Sequence, residues 1–346
     1  MKNFSLPVIL LALFMAIFSC GERKKKDATQ NVEQFRELVS SYTSGFISSK
    51  STLMITLAQK TKKFQPGTEL PPDIITLNPR VNGKTYLIDP TTLEFRPDEP
   101  LKNGKQYLVK LNLKGLMDVE KDREEFTFEV HVIEQDFTVY PGELISSGTP
   151  ESPEKKYTGK MVTADDMPLE IAKRILSAGI PGKSLEVDVV ADGPREFTYT
   201  IDGIPRKEHA YDLTLYWMGE AAGVDKTGNR KVEIPGIDEF TLLQVNTDQS
   251  PANQHIRLEF SDPVDPEQNL DGLIRIKDFE NFRLSLKGSS VTIYPQERLY
   301  GEKTVIVDKS IRNENGTRLD KTTEYIVAME ALKPEVKILG NGVIMP

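Results

Sequence analysis

The chain has 346 residues, 38% of them hydrophobic and 28% charged, with a formal net charge of −8. That length exceeds one small β domain and suits about three of roughly 95 residues each. The negative balance disfavours nucleic acid as a partner, because phosphate neutralisation needs a positive surface. Past the first twenty residues, no stretch of the sequence is apolar enough to span a bilayer.

Lys2 precedes a short apolar stretch, Leu6 to Phe18, broken by Pro7 and followed by Ser19-Cys20-Gly21. This is an address rather than a fold element, and it is too short for a stable transmembrane helix. A small residue before a cysteine and a glycine after it resemble a bacterial lipoprotein signal. Such a signal implies removal of residues 1–19, acylation of Cys20 and a cell-envelope location. The protein would then be lipid-anchored to the outer membrane, at its periplasmic face or at the cell surface. Ile17 and Phe18 are bulkier than such signals usually carry, and the other reading is a plain secretory leader with an incidental cysteine. Cys20 is the only cysteine, so no intramolecular disulfide can form, and a free thiol is unexpected in an exported protein. Acylation would make the membrane the first partner, since each buried methylene contributes about 0.8 kcal/mol. Residues 20–41 read as a tether that begins with Arg23-Lys24-Lys25-Lys26, either a plain spacer or a contact with anionic headgroups.

A first module is expected over residues 42–135. Leu53-x-Ile55-x-Leu57 and Phe126-x-Phe128-x-Val130-x-Val132 alternate as half-buried strands do. Asn82-Gly83 offers a hairpin turn, and Tyr86-x-Ile88 and Leu93-x-Phe95 supply further strands. A second module, 136–236, holds the one convincing helix. Asp165 or Asp166 caps it, Pro168 suits its first turn, Leu169, Ala172, Ile175 and Leu176 share one face, and Gly179 with Pro181 stops it. Leu185-x-Val187-x-Val189 then resumes alternation. Phe197-x-Tyr199-x-Ile201 and Leu213-x-Leu215-x-Trp217 flank a turn at Asp202-Gly203-Ile204-Pro205, and Lys231 to Ile234 ends the module. The third, 237–332, runs through Ile256-x-Leu258-x-Phe260, a Ser261-Asp262-Pro263-Val264-Asp265-Pro266 turn, and strands to Tyr325-Ile326-Val327. Residues 333–346 read as the start of an unfinished fourth module.

One phrase occurs twice. Leu93-x-Phe95-x-Pro97 leads to Leu101, Gly104 and Tyr107-Leu108-Val109, and Val291-x-Ile293-x-Pro295 leads to Leu299, Gly301 and Val305-Ile306-Val307. A looser copy lies between them, in Phe197 to Ile201 with Tyr211 to Trp217. Repetition at this spacing marks serial copies of one unit. The expected class is all-β, three tandem antiparallel sandwiches with one short helix in the second.

Phe260-Ser261-Asp262-Pro263-Val264-Asp265, Val291-Thr292-Ile293-Tyr294-Pro295, Leu332-Lys333-Pro334 and Gly340 to Pro346 resemble the N-terminal macroglobulin-type domains of bacterial alpha-2-macroglobulins, lipoprotein forms of the Bacteroidetes type. Phe95 to Leu101 and the lipoprotein-like start agree with that resemblance, and the first and third modules equally suit a generic bacterial Ig-like domain. The resemblance implies a membrane-anchored scaffold segment of an endopeptidase inhibitor, whose protease partners would be met through a C-terminal region missing from this chain. The Cys-x-Glu-Gln thioester of such traps is absent here. The alternative is a stand-alone surface lipoprotein whose Ig-like modules bind a protein or a glycan, or act as a spacer.

Chemistry is sparse in the residues themselves. His131, His209 and His255 fall one to a module, without a second histidine or a cysteine at ligand spacing. No Gly-x-Ser-x-Gly, His-Glu-x-x-His or phosphate-cradling loop is present. Asp262, Asp265 and Asp271, with Glu267 and Asn269, could offer oxygens to calcium, yet the two prolines explain the segment as a turn. Asp225 to Asn229 reads as a hairpin connection, Trp217 as a core residue beside Met218, and Asn315-Gly316-Thr317 as a turn that also matches a glycosylation acceptor. The expectation is a non-enzyme, with no catalytic residue, cofactor or metal, and with lipidation at Cys20 the one assigned site.

Overall fold

In Leu53-Met54-Ile55-Thr56-Leu57 the odd-numbered residues are buried, as a strand with one covered face requires. The computed structural model describes residues 33–149 and 152–331, so the leader 1–19, Cys20 and the 333–346 segment lie outside the described residues. The first strands are β1 (Val39–Tyr42), β2 (Gly45–Ile47), β3 (Leu53–Leu57), β4 (Ile75–Asn78), β5 (Gly83–Leu87), β6 (Thr92–Pro97), β7 (Gln106–Asn112) and β8 (Glu125–Val132). They form two sheets, β1-β3-β6-β5 and β2-β8-β7-β4, around a first core that includes Leu53, Ile55, Leu93, Val109 and Phe126. Each fully buried leucine or phenylalanine of that kind contributes about 1.5–3 kcal/mol.

Next come β9 (Phe137–Val139), β10 (Glu143–Thr149), β11 (Ser152–Thr163), the single turn α1 (Leu169–Ala172), β12 (Leu176–Ile180) and β13 (Lys183–Leu185). They are followed by β14 (Asp188–Ala191), β15 (Glu196–Pro205), β16 (Tyr211–Met218) and β17 (Thr227–Ile234). Sheets β10-β11-β15-β14, with β9 also on β11, and β13-β12-β16-β17 enclose a second core around Tyr199, Ile201, Leu213 and Leu215. The last strands are β18 (Leu242–Asp248), β19 (His255–Phe260), β20 (Ile274–Ile276), β21 (Phe282–Lys287), β22 (Ser290–Pro295), β23 (Gly301–Val307) and β24 (Thr323–Met329). Sheets β18-β19-β22-β21 and β20-β23-β24 hold a third core around Ile256, Leu258, Ile293 and Val305. The chain is thus all-β, and among the described strands every ladder is antiparallel except β2 on β8. The third pair of sheets has the strand order of an immunoglobulin-type sandwich, first-second-fifth-fourth facing third-sixth-seventh, and the other two keep that order with added strands, β2 beside β8 in the first and β9 on β11 with β13 beside β12 in the second.

The repeated phrase occupies one structural place in two sandwiches. Leu93 and Phe95 on β6, and Val291 and Ile293 on β22, are buried, as are Leu101 and Leu299 that follow. Gly104 and Gly301 have φ of +69° and +71°, a backbone that favours glycine, and each lies where the chain enters the opposite sheet, just before β7 and at the first residue of β23. Tyr107 and Val109 on β7, and Val305 and Val307 on β23, then return to the core.

Several local expectations are corrected. Phe35 and Val39, placed in the tether from sequence, are buried in the first core. Gly83 makes no hairpin turn. It opens β5 without a positive φ, and an added Cβ would lie 2.5 Å from the Arg96 carbonyl oxygen and 2.6 Å from the Phe95 ring. On β5 the buried residues are Thr85 and Leu87, so the strand is one residue out of phase with Tyr86-x-Ile88. The helix ends at Ala172, because Leu176 to Gly179 pair with β16 instead. One turn of helix carries a costly nucleus, which a sheet ladder outbids. Neither aspartate caps it, since the residue at its start is Pro168 with no side-chain bond. Leu185 and Val189 fall in different sheets, β13 and β14. Asp202 to Pro205 continue β15 through a bulge at Gly203, φ +63°, where Lys156 of β11 faces both Asp202 and Gly203 of β15.

Candidate functional site

The polar groups taken out of water lie where one core ends and the next begins. Asp165 is only 1% exposed and joins the first two cores. Its Oδ2 accepts from the Ser49 backbone N–H at 2.8 Å and from Asn103 Nδ2 at 2.7 Å. Asn103 also donates to the Ile133 carbonyl at 2.9 Å, and Gln135 Oε1 accepts from the Asp165 N–H at 3.0 Å. Lys50 stands 3.9 Å from Asp166. Burial is the largest single influence on the Asp165 carboxyl and pushes it up, yet the bonds from Ser48, Ser49 and Asp166 together hold it below its ordinary value.

The second joint contains two buried cations. Lys155 is 1% and Arg206 7% exposed. The inward phase of β11 runs Tyr157, Gly159, Met161 and Thr163, and Lys155 extends it by one more step. Opposite, the Gly203 bulge shifts the phase of β15 so that Ile204 points inward, and Arg206 follows just past the strand's end. Lys155 Nζ donates to Ser146 Oγ at 2.8 Å and to the Ser261 carbonyl. Arg206 donates to Asp262 Oδ1, to the carbonyls of Gly236 and Pro235, and to the Glu239 carbonyl at 2.9 Å. Ser261 Oγ donates to Asp262 Oδ2 at 2.6 Å and accepts from the Thr241 N–H at 3.0 Å. Farther out, Glu143 accepts from Asn246 at 3.0 Å and from Arg257 at 2.6 Å. Burial lowers the Lys155 pKa to about 8, against the opposing pull of Asp262. Each charge therefore has a partner, as a buried ion requires.

Such an arrangement is a clasp. It ties one sandwich to the next through side-chain-to-backbone bonds and ion pairs.

The residues picked from sequence are scattered. His131 lies on β8 with its ring 5.5 Å from that of Phe46, His209 is exposed in the turn before β16, and His255 starts β19 with its ring 5.5 Å from Tyr294. Of the proposed calcium oxygens, Asp262 is taken by Arg206, and Asp265 pairs with Arg312 at 2.7 Å. Asn269 Oδ1 accepts from the Asp271 N–H at 2.9 Å, and the Glu267 N–H donates to Asp265 at 2.9 Å. Among the described residues no group of three or more acidic, histidine or cysteine side chains is placed to hold a metal. Of the expected 225–229 connection, Thr227 to Asn229 already belong to β17, and Lys226 just ahead of it reaches back to Asp136 at 2.9 Å. Trp217 is partly buried on the second core, its ring over Gly228, while Met218 is exposed. Asn315-Gly316-Thr317 forms a turn with Gly316 at φ +82° and with Asn313 Oδ1 accepting two of its N–H groups. Cys20 lies outside the described residues. Sequence reasoning missed Lys155, Arg206 and the joint role of Asp165.

No family model matches the chain, and no curated protein does. Among solved structures it is similar to the surface layer protein SbsC, domains 4–9, with 16% identity and a TM-score of 0.30, covering 86% of this chain and 49% of that one. The chain thus spans about half the length of that fragment. It is also similar to the ICAM-5 D1–D4 ectodomain fragment, with 10% identity, a TM-score of 0.21, and coverage of 82% and 74%. Bovine butyrophilin gives 10% identity, a TM-score of 0.23, and coverage of 57% and 95%. The sandwich architecture itself stands on the strand order and cores described above.

Proposed function

We propose that the chain is an envelope-anchored spacer: three tandem Ig-like modules, carried by acylated Cys20 and held at set angles by their joints. The supporting observation is the pair of clasps, Asp165 at the first joint and Lys155 with Arg206 and Asp262 at the second. Freely swinging modules need no buried, hydrogen-bonded charges between them, because flexible linkers stay hydrated. On this reading catalysis plays no part, and the first module begins ahead of residue 42, because Phe35 and Val39 pack in its core, while the other limits are those drawn from the sequence. A narrower version makes the modules the membrane-proximal part of an alpha-2-macroglobulin-type inhibitor with its trapping chemistry beyond Pro346. Its support is the set of phrases around Phe260 to Asp265 and Val291 to Pro295, and a downstream frame without further β modules would remove it.

Stiffness is the testable property. Spin labels at Thr76→Cys and Ser285→Cys, both at exposed positions, in a Cys20→Ser background, should give one narrow inter-label distance distribution. A broad distribution would refute the spacer reading.

A further inference from the structure

The outer face of the β13-β12-β16-β17 sheet carries side chains that neither joint uses. Along β16, Leu213 and Leu215 point into the core, so Asp212, Thr214, Tyr216 and Met218 point outward. The register places Ser177 and Gly179 of β12 beside Tyr216 and Thr214 on one side. On the other side it places Asn229 and Lys231 of β17. A depression of about 770 Å³ covers this row, lined by Ser177, Gly179, Ser184, Thr214, Tyr216 and Lys231 among others.

Three features define what would fit. The Tyr216 ring is 45% exposed, and its cross-strand neighbours Ser177 and Asn229 bring no aromatic or branched side chain to cover it. The residues beside it on β12 and β13 are small, Ser177, Gly179 and Ser184, which makes room at sheet level. Asp212 and Lys231 pair at 3.0 Å and cancel one another's charge, leaving donors and acceptors without a net field. A polyanion gains nothing from a neutralised lysine, and an extended peptide adds to a sheet edge rather than to its face. A pyranose has what this surface lacks: a C–H face to lie on an aromatic ring, and a rim of hydroxyls for Asp212, Lys231, Asn229, Thr214 and Ser177. Four strands at about 4.8 Å spacing give a row about 14 Å across, the span of a short oligosaccharide.

We propose that this face of the second sandwich binds a neutral oligosaccharide, with Tyr216 as its stacking platform. The site is separate from both joints, so it extends the spacer reading without depending on it. The full chain is titrated calorimetrically with neutral gluco-, manno-, xylo- and galacto-hexasaccharides and with a hexauronate. At least one neutral hexasaccharide should bind, and Tyr216→Ala should weaken it about tenfold. Tyr300→Ala, which removes a comparably exposed ring near the third core, should leave affinity unchanged. Circular dichroism of both variants should match the parent, since each side chain is largely outside a core. Heat with none of the neutral sugars, tighter binding of the hexauronate, or equal affinity in Tyr216→Ala would each overturn the proposal. The inter-label distances of the spacer test are indifferent to this face, so the two readings fail separately.

Discussion

Asp262→Asn removes a carboxylate shared by two buried cations while keeping the side chain's size. Arg206 retains the carbonyls of Pro235, Gly236 and Glu239 but loses its only ionic partner there. Lys155 loses the group that most opposes its deprotonation. Burial already brings Lys155 from 10.5 to about 8. At about 1.36 kcal/mol for each pH unit, that gap corresponds to about 3 kcal/mol spent on keeping the charge at neutral pH. Removing one partner of a buried pair typically costs about 3–5 kcal/mol, so a loss of about 3 kcal/mol is expected at neutral pH.

The pH dependence has a definite sign. An unfolded lysine keeps its proton up to about pH 10.4, whereas folded Lys155 releases it near 8, and lower still in the variant. Between those values the unfolded chain binds more protons, so stability rises with pH. Parental stability should gain from this group only above about pH 8, while the variant should begin to recover below it. Urea unfolding followed by Trp217 reads this directly, because Trp217 is the sole tryptophan and packs on the second core. A change under about 1 kcal/mol at neutral pH, or a deficit that stays constant from about pH 7 to pH 9, would refute the clasp. Lys155→Met combined with Asp262→Asn should abolish the slope.

Three further outcomes follow from the geometry. Asp165→Ala should broaden the distance distribution between the first and third sandwiches. Because the Asp165 pKa is lowered on folding, its stabilisation is full above the ordinary carboxylate range and lost as pH falls through the lower folded value, so parental chain should loosen at this joint only in acid. Gly83→Ala should destabilise the first sandwich by about 1–3 kcal/mol, as overpacking does, since the added methyl meets a backbone carbonyl and the Phe95 ring, read by thermal unfolding. Leu93→Ala, at a fully buried site, should cost about 2–5 kcal/mol and raise amide exchange around the first core while leaving the third unchanged.

The strands were legible wherever apolar residues held a period of two, as in Leu53 to Leu57 and Phe126 to Val132, because one covered face leaves that signature in composition alone. The twice-written phrase around Pro97 and Pro295 was legible for the same reason, and its glycines mark a backbone that other residues rarely adopt. The helix is shorter than its pattern suggests because Leu169, Ala172, Ile175 and Leu176 suit a helical face locally, whereas the β16 partner that takes Leu176 into a sheet lies about forty residues away. Asp202-Gly203 has the composition of a turn and of a bulge alike, and only the opposite strand separates the two.

The joints were hidden by chemistry rather than by distance, because polar residues are ordinarily read as solvated. Yet the phase of β11, followed back from Thr163 through Met161 and Tyr157, points Lys155 inward, and the phase of β15 carried through its bulge leads to Arg206. Charges suit these places for a physical reason. The mouth of a sandwich is open to water until its neighbour docks, and an apolar lining there would leave a sticky patch on every incompletely assembled chain. Lys155 and Arg206 keep that mouth soluble when open. When closed, they lock to Ser261 and Asp262 at the start of the next sandwich, so the same residues serve both solubility and alignment.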